Sequence, residues 1–288
     1  MQPPAPDFRA EIASRIAARE PCWFPGLADL LVAGFWADTR SHSPGQYSTA
    51  AWTGAASPAI LVPVPGQPLM VVEPQPAGLG AEFEAPDDPK VAPEVLRAIA
   101  GALRRLAAGG AGDAVAGLVR SVHCIAAHGA GYDSSHSDPA IPFSVFVSVP
   151  LGERHAELRV AESLLHEAMH LQLTLIERHV PLVARYAGTG YSPWQQCRRP
   201  VQGLLHGLYV FAAVHQWLAR LTADPMLSAD DAIYVERRLC EIKKEVREVS
   251  TLGSAPGLTS FGRRLAAWLL CRVGRTPTSL PIIGVATG

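Results

Sequence analysis

The sequence predicts an α+β chain, predominantly helical, in which a loop-rich N-terminal half with a few short strands (1–150) packs on a helical C-terminal half (151–288) that carries a metal site. Three observations predict it. From residue 152 onward apolar residues recur at helical spacing over long stretches. Before that point the β-type runs are short and set among Pro, Gly and Ser. The first of the long helical stretches also contains the motif H-E-x-x-H. A length of 288 residues suits either one sizeable core or two small domains; the halves are expected to form one continuous unit.

The elements follow in chain order. Helical spacing covers 8–20 and 27–39, the second with Leu27, Leu30, Leu31 and Phe35 on one side. The Pro- and Gly-rich stretch 41–91 holds two β-type runs, 59–64 and 68–72. An amphipathic helix is expected over 95–108 through Val95, Leu96, Ile99, Leu103 and Leu106, stopped by the glycines that follow at 109 and 110. A strand is expected over 143–149 between Pro142 and Pro150. Four long helices complete the chain at 153–178, 200–222, 228–250 and 260–272, with Pro181, Pro193, Pro200 and Pro225 as breaks. Ser228 followed by Asp230 and Asp231 reads as an N-cap with acid in the first turn, where the helix dipole favours it.

Composition narrows the function classes. Lys+Arg 25 against Asp+Glu 26 gives a net charge of -1, without the basic stripe a nucleic-acid binder needs. No apolar run reaches the ~18 residues of a membrane span, and the N-terminus lacks a signal-peptide pattern, so a cytoplasmic protein with no membrane partner is expected. The five cysteines, Cys22, Cys124, Cys197, Cys240 and Cys271, form no C-x-x-C pair and are expected as reduced, partly buried small hydrophobes. Lys90, Lys243 and Lys244 are the three lysines, so 22 of the 25 basic residues are arginine. Anionic groups will therefore be met almost entirely by planar guanidinium.

The chemistry is concentrated at His166-Glu167-x-x-His170. On a helix, positions i and i+4 share one face, so both imidazoles can reach one metal ion. Glu167 lies next to them, as a catalytic carboxylate. Ten His and 15 Glu placed at random in this length would produce such a motif about 0.02 times. Val160, Leu164, Leu165, Ala168, Leu171 and Leu175 supply the apolar face that would bury the helix.

A two-histidine site needs a third ligand. A metzincin would have Gly at 173 and His at 176; this chain has Leu173 and Ile176. No Glu occurs between Arg178 and Val235, so the downstream glutamate of a gluzincin is also missing. Glu177 shares the face but stands ~10 Å along the same helix, too far to close the site. Histidine remains: His179, His206 and His215. His206 is the favoured third ligand, because Gly203 and Gly207 allow close approach beside it. His215, nine residues on, points about 180° away and reads as structural. Arg199 precedes a proline at the mouth of the His206 helix, where a guanidinium can grip a carboxylate bidentately; Arg198 is the secondary candidate. A rival H-x-D pair, His136 and Asp138, belongs on a double-stranded β-helix that this chain lacks the strands to build.

Together His166-Glu167-x-x-His170, Ser192-Pro193-Trp194 with Arg199-Pro200, and Gly203-Leu204-Leu205-His206-Gly207-x-Tyr209-x-Phe211 resemble the H-E-x-x-H family of peptide-modifying proteins in the biosynthesis of ribosomally made peptide natural products. The match covers mainly 140–220, and Gln195 and Gln196 depart from it, where the family has Arg and an acidic residue. The resemblance implies an iron(II)- and 2-oxoglutarate-dependent oxygenase that hydroxylates a β-carbon of a precursor peptide. It further implies metal ligands His166, His170 and His206, and Arg199 or Arg198 on the distal carboxylate of 2-oxoglutarate. Glu167 would then orient a ligand or water. Two other classes stand beside it. One is a zinc hydrolase with Glu167 as general base, completed by His206, Asp133 or Asp138. The other is a non-catalytic peptide-binding protein with a vestigial site.

Overall fold

The computed structural model describes residues 10–12, 14, 26–38, 60–62, 70–74, 92–126, 131–137, 143–184 and 188–275. Of the helix expected over 8–20, residues 10–12 and 14 are among these and are helical. Asp138 and Cys22 lie outside the described residues, as does most of 41–91.

The N-terminal part contributes α1 (Leu27–Asp38), the short strands β1 (Ile60–Val62) and β2 (Met70–Pro74), then α2 (Pro93–Ala108) and α3 (Gly112–Leu118). Proline opens α2, where its missing N–H costs nothing. The helix ends at Gly109 and Gly110, the latter at φ +76°, a left-handed turn that glycine alone adopts without strain. Strands β3 (Ser121–Ile125), β4 (Ser135–His136) and β5 (Ser144–Ser148) follow.

The five strands form one sheet in the order β1-β2-β3-β5-β4. Its middle, β2-β3-β5, is parallel, and an antiparallel strand closes each side. Every residue of β3 and β5 is buried, which parallel strands covered on both faces require.

The C-terminal part is helical: α4 (Ala156–His179), α5 (Val201–Leu221), α6 (Ala229–Glu248) and α7 (Ser260–Arg275), with a hairpin of β6 (Thr189–Ser192) and β7 (Cys197–Pro200) between α4 and α5. Ser228 caps α6 as expected, its hydroxyl accepting from the Asp231 N–H at 3.1 Å. The 24-residue α4 is the central element, packing on α2, α5 and β5. One buried apolar cluster joins Leu31, Leu106, Val122 and Val147 to Leu164, Leu205, Trp217 and Val246. The change of character near residue 150 therefore falls within a shared interior.

The predominantly helical α+β class is borne out, and the five helices expected from residue 95 onward all form within a few residues of their expected ends. The periodicity did not foresee α3, β3, β4 or the β6–β7 hairpin. The first is one short turn-rich helix, and the others carry Ser, His, Cys and Arg in place of an apolar alternation. The cysteines correct an expectation: Cys124 is buried, with its thiol pushed up to about 12 by burial, but Cys197, Cys240 and Cys271 are free and exposed. No helix among the described residues is long and apolar enough to cross a membrane.

Gly262 in the first turn of α7 tests how tightly this packing is set. A Cβ there would collide with the Leu182 backbone carbonyl, which no side-chain rotation can relieve. Gly262→Ala is expected to destabilise the protein by about 1–3 kcal/mol. Gly253→Ala, whose nearest neighbour would lie at 3.7 Å, should leave the thermal midpoint nearly unchanged.

Candidate metal centre

The centre is built where α4 crosses α5. His166 and His170, one turn apart on α4, bring their Nε2 atoms to 3.2 Å of each other. Two nitrogens that both ligate one metal at ~2.1 Å stand roughly 3.0–3.4 Å apart, so this spacing suits a shared ion. His206 reaches in from α5, with its Nδ1 3.3 Å from His170 Nδ1 and its ring nearly parallel to that of His170. The three residues named as ligands are thus brought together.

Their contacts run as a chain. His170 faces His166 through Nε2 and His206 through Nδ1, and the far nitrogen of His206, Nε2, contacts Glu177 Oε2 at 3.1 Å. Accordingly, no group of three or more His, Cys, Asp or Glu side chains among the described residues converges on one point able to hold a metal ion. Burial pushes the His166 imidazole down to about 4, with Arg238 nearby adding to the effect. Burial likewise takes His170 down to about 3. Both rings are therefore neutral near pH 7, the form in which imidazole offers a lone pair to a metal.

Glu167 is 5% exposed at its side chain, and its Oε1 lies 4.0 Å from His166 Nε2. Ser135 donates to Oε1 at 2.7 Å and Ser137 to Oε2 at 2.6 Å. Ser135 sits on β4, the edge strand, and Ser137 just beyond it, so the sheet edge holds the carboxylate of the helix motif. Both bonds are charge-assisted and short. Sequence reasoning gave these two serines no role, because the candidates it weighed in their segment were Asp133, His136 and Asp138. His136 of that pair does line a cavity at the centre, between the serines.

Glu177, expected to stand too far along α4 to close the site, has its contacts across the helix pair: its carboxylate reaches α5 and meets His206 and Gln202. Asp133, weighed as a hydrolase ligand, is held by Arg159 through two bonds of 2.8 and 2.7 Å. His215 is buried away from both cavities described below, with its imidazole lowered to about 4 by desolvation and by Lys243.

Two cavities meet at His166, Ser135 and Gln195. The smaller, about 360 Å³, runs over His170, His206 and Glu167 and is lined by hydroxyls of Ser137, Ser144 and Thr174. The larger, about 530 Å³, has an aromatic wall of Trp194, Phe211, Tyr132 and Tyr234. Phe211 meets His166 edge-on with ring centres 5.4 Å apart, and Trp194 stacks on Phe211 at 5.2 Å. Two guanidiniums enter this wall. Arg159 carries Asp133 and Glu153, and Arg238 carries Glu162 and Glu241. Burial works against the charge of Arg238, but Glu162 holds it above its ordinary range.

Arg198 and Arg199 are elsewhere. Both lie exposed on β7, Arg198 donating to Thr189, and neither lines the two cavities. Arg199 runs alongside Gly203 in the first turn of α5. The guanidinium whose charge bears on His166 is Arg238 of α6, a residue the sequence analysis did not single out.

No model of a known protein family matches the chain, and no curated protein matches it.

Gly207 allows the aromatic wall to close. A Cβ at this position would lie 2.5 Å from Trp194 Cε3, whereas at Gly203 the nearest atom, Arg199 Nε, would be 3.6 Å away. Gly207→Ala should displace the indole from Phe211. The near-UV circular dichroism of the Gly207→Ala protein is expected to resemble that of Trp194→Ala, and Gly203→Ala should keep the native spectrum.

Proposed function

We propose that the protein is a metal-dependent oxygenase that hydroxylates a β-carbon of a ribosomally made precursor peptide, with iron(II) held by His166, His170 and His206. One observation carries this reading: the H-E-x-x-H pair is spaced for a common ion, and the side chain that α5 brings beside His170, 3.3 Å from its Nδ1, is a histidine, His206, rather than a carboxylate. The His166 and His170 pair fits a divalent metal, because burial keeps both imidazoles neutral and their Nε2 atoms are spaced for a common ion; His206 faces the other ring nitrogen of His170 and would have to turn to join them. For 2-oxoglutarate, the arginines carried over from the family resemblance do not fit, since Arg198 and Arg199 line neither cavity.

Bound at the histidines, iron(II) with 2-oxoglutarate would supply the oxidising chemistry for a C–H bond that side chains do not supply. The residues of the chain do the rest. Glu167, with a serine hydroxyl donating to each carboxylate oxygen, is held in a fixed orientation beside His166. Phe211 packs edge-on against His166, with Trp194 stacked on Phe211, and gives that side of the site an apolar wall. The larger cavity is wide enough for a stretch of peptide. Its arginines are already neutralised, so substrate is gripped by packing and hydrogen bonds rather than drawn in by charge.

A zinc hydrolase is the second reading, favoured by the 4.0 Å approach of Glu167 Oε1 to His166 Nε2. The serine donors weigh against it, because each already takes up one acceptor position on a carboxylate oxygen. Iron-loaded protein with 2-oxoglutarate and a precursor peptide is expected to consume O₂, release succinate and add one oxygen atom to the peptide. Peptide cleavage by zinc-loaded protein, with no O₂ consumed, would overturn the oxygenase. Glu167→Gln should slow an oxygenase roughly tenfold, against about 10²–10⁴ for the loss of a general base.

A further inference from the structure

The larger cavity carries chemistry that the histidines beside it do not use. Two guanidiniums line it, and each is paired twice: Arg159 with Asp133 at 2.7 Å and Glu153 at 2.6 Å, Arg238 with Glu162 at 2.7 Å and Glu241 at 3.2 Å. Two positive charges thus face four carboxylates, where one partner each would have neutralised them. Asp133 and Glu162 belong to the lining itself, and Glu153 and Glu241 stand behind it. The chain as a whole has a net charge of -1, so this surplus gives no long-range pull and acts on a group already inside. The same wall is aromatic. Phe211 already has the Arg238 guanidinium 5.7 Å from its ring centre, and Tyr234 has that of Arg237 at 5.4 Å. Tyr132 differs from both: it is 63% exposed, and no ring or cation among the described residues lies against it.

We infer that the larger cavity takes a cationic side chain of the substrate peptide, a guanidinium or an ammonium, with Tyr132 as the ring that covers it. The resident arginines show what this wall accepts, since Arg238 combines an aromatic face with two carboxylates. A cation over the open tyrosine ring is attracted by its quadrupole. Its N–H groups donate to the carboxylate oxygens of the lining, which have further acceptor positions beyond those the arginines use. An anionic side chain would meet the surplus of like charge, and a neutral one would gain from packing alone. The cavity joins the smaller one at His166, Ser135 and Gln195, so a side chain held here leaves the adjoining peptide at the approach to the histidines. The inference rests on the peptide reading above for what carries the cation. Its test needs neither metal nor 2-oxoglutarate, so the two fail separately.

The full chain, without added metal, is titrated calorimetrically with blocked tripeptides in which arginine, lysine, citrulline or norleucine stands between two glycines. Citrulline keeps the shape of arginine and norleucine the stem of lysine, each without the charge. The arginine and lysine peptides are expected to bind about tenfold more tightly than their neutral counterparts. Binding by one of the two alone names that cation as the occupant. Tyr132→Ala, at an exposed position, should weaken the cationic peptides about 2–5-fold, and Tyr132→Phe should keep the wild-type affinity. Glu241→Gln removes a carboxylate that lies outside the lining; it should weaken the cationic peptides and leave the citrulline peptide unchanged. Equal affinity for each charged peptide and its neutral counterpart overturns the inference, as does a lack of measurable binding by all four. A preference for the cation that neither Tyr132→Ala nor Glu241→Gln moves puts the binding elsewhere on the protein, and overturns it as well. Cation-selective binding by a protein that adds no oxygen to any peptide leaves the inference standing and overturns the oxygenase alone.

Discussion

The crossing of α4 over α5 is the constraint on which the rest of this molecule depends. Two polar contacts, the first of them buried, fix its register. The Gln172 amide donates to the Tyr209 hydroxyl at 2.6 Å near the middle, and Glu177 meets His206 and Gln202 nearer the start of α5. A slip of one residue along α5 would rotate His206 by about 100° and leave Gln172 without its partner. Around these contacts the two helices share an apolar interior through Leu164, Ala168, Met169, Leu205 and Leu208. Such packing tolerates little change of volume. The imidazoles are therefore delivered to one another by helices that have no freedom to adjust, as a rigid metal site requires.

Much of the frame was legible in the sequence, because amphipathic helices leave a periodic record. All four long C-terminal helices follow from it, as do the strand at β5 and the Ser228 cap. The histidine set was legible for a different reason. The i, i+4 spacing is geometric, and an apolar helix containing His206 between two glycines marks a position where something must approach. In the structure that neighbour is Trp194, lying over Gly207.

What stayed hidden lies in side-chain reach between elements. Glu177 was measured along its own helix, while its long side chain acts across the interhelical gap. Ser135 and Ser137 sit at a sheet edge of two residues, too short to carry an alternation, and serine in a loop has no periodic signature. Arg238 sits with Arg237 and Glu241 on α6, and i, i+3 or i, i+4 charges on a helix read as solvent-facing pairs. Only the tertiary fold turns Arg238 inward, over the face of Phe211. Arg199 was misplaced by the opposite error: proximity in sequence to the His206 helix does not aim a side chain at His206.

The segment 131–137 touches both sides of the centre. Its first residues, Tyr132 and Asp133, belong to the wall of the larger cavity, and Tyr132 stands 63% exposed there. Its last residues, Ser135 and Ser137, hold the carboxylate of the H-E-x-x-H helix. The segment leaves a turn at Gly131, enters the two-residue strand β4, and is braced midway where the Ser148 hydroxyl accepts from the Ser134 N–H at 2.9 Å. One short segment thus contributes both to the wall of the larger cavity and to the hold on the carboxylate that lines the smaller one.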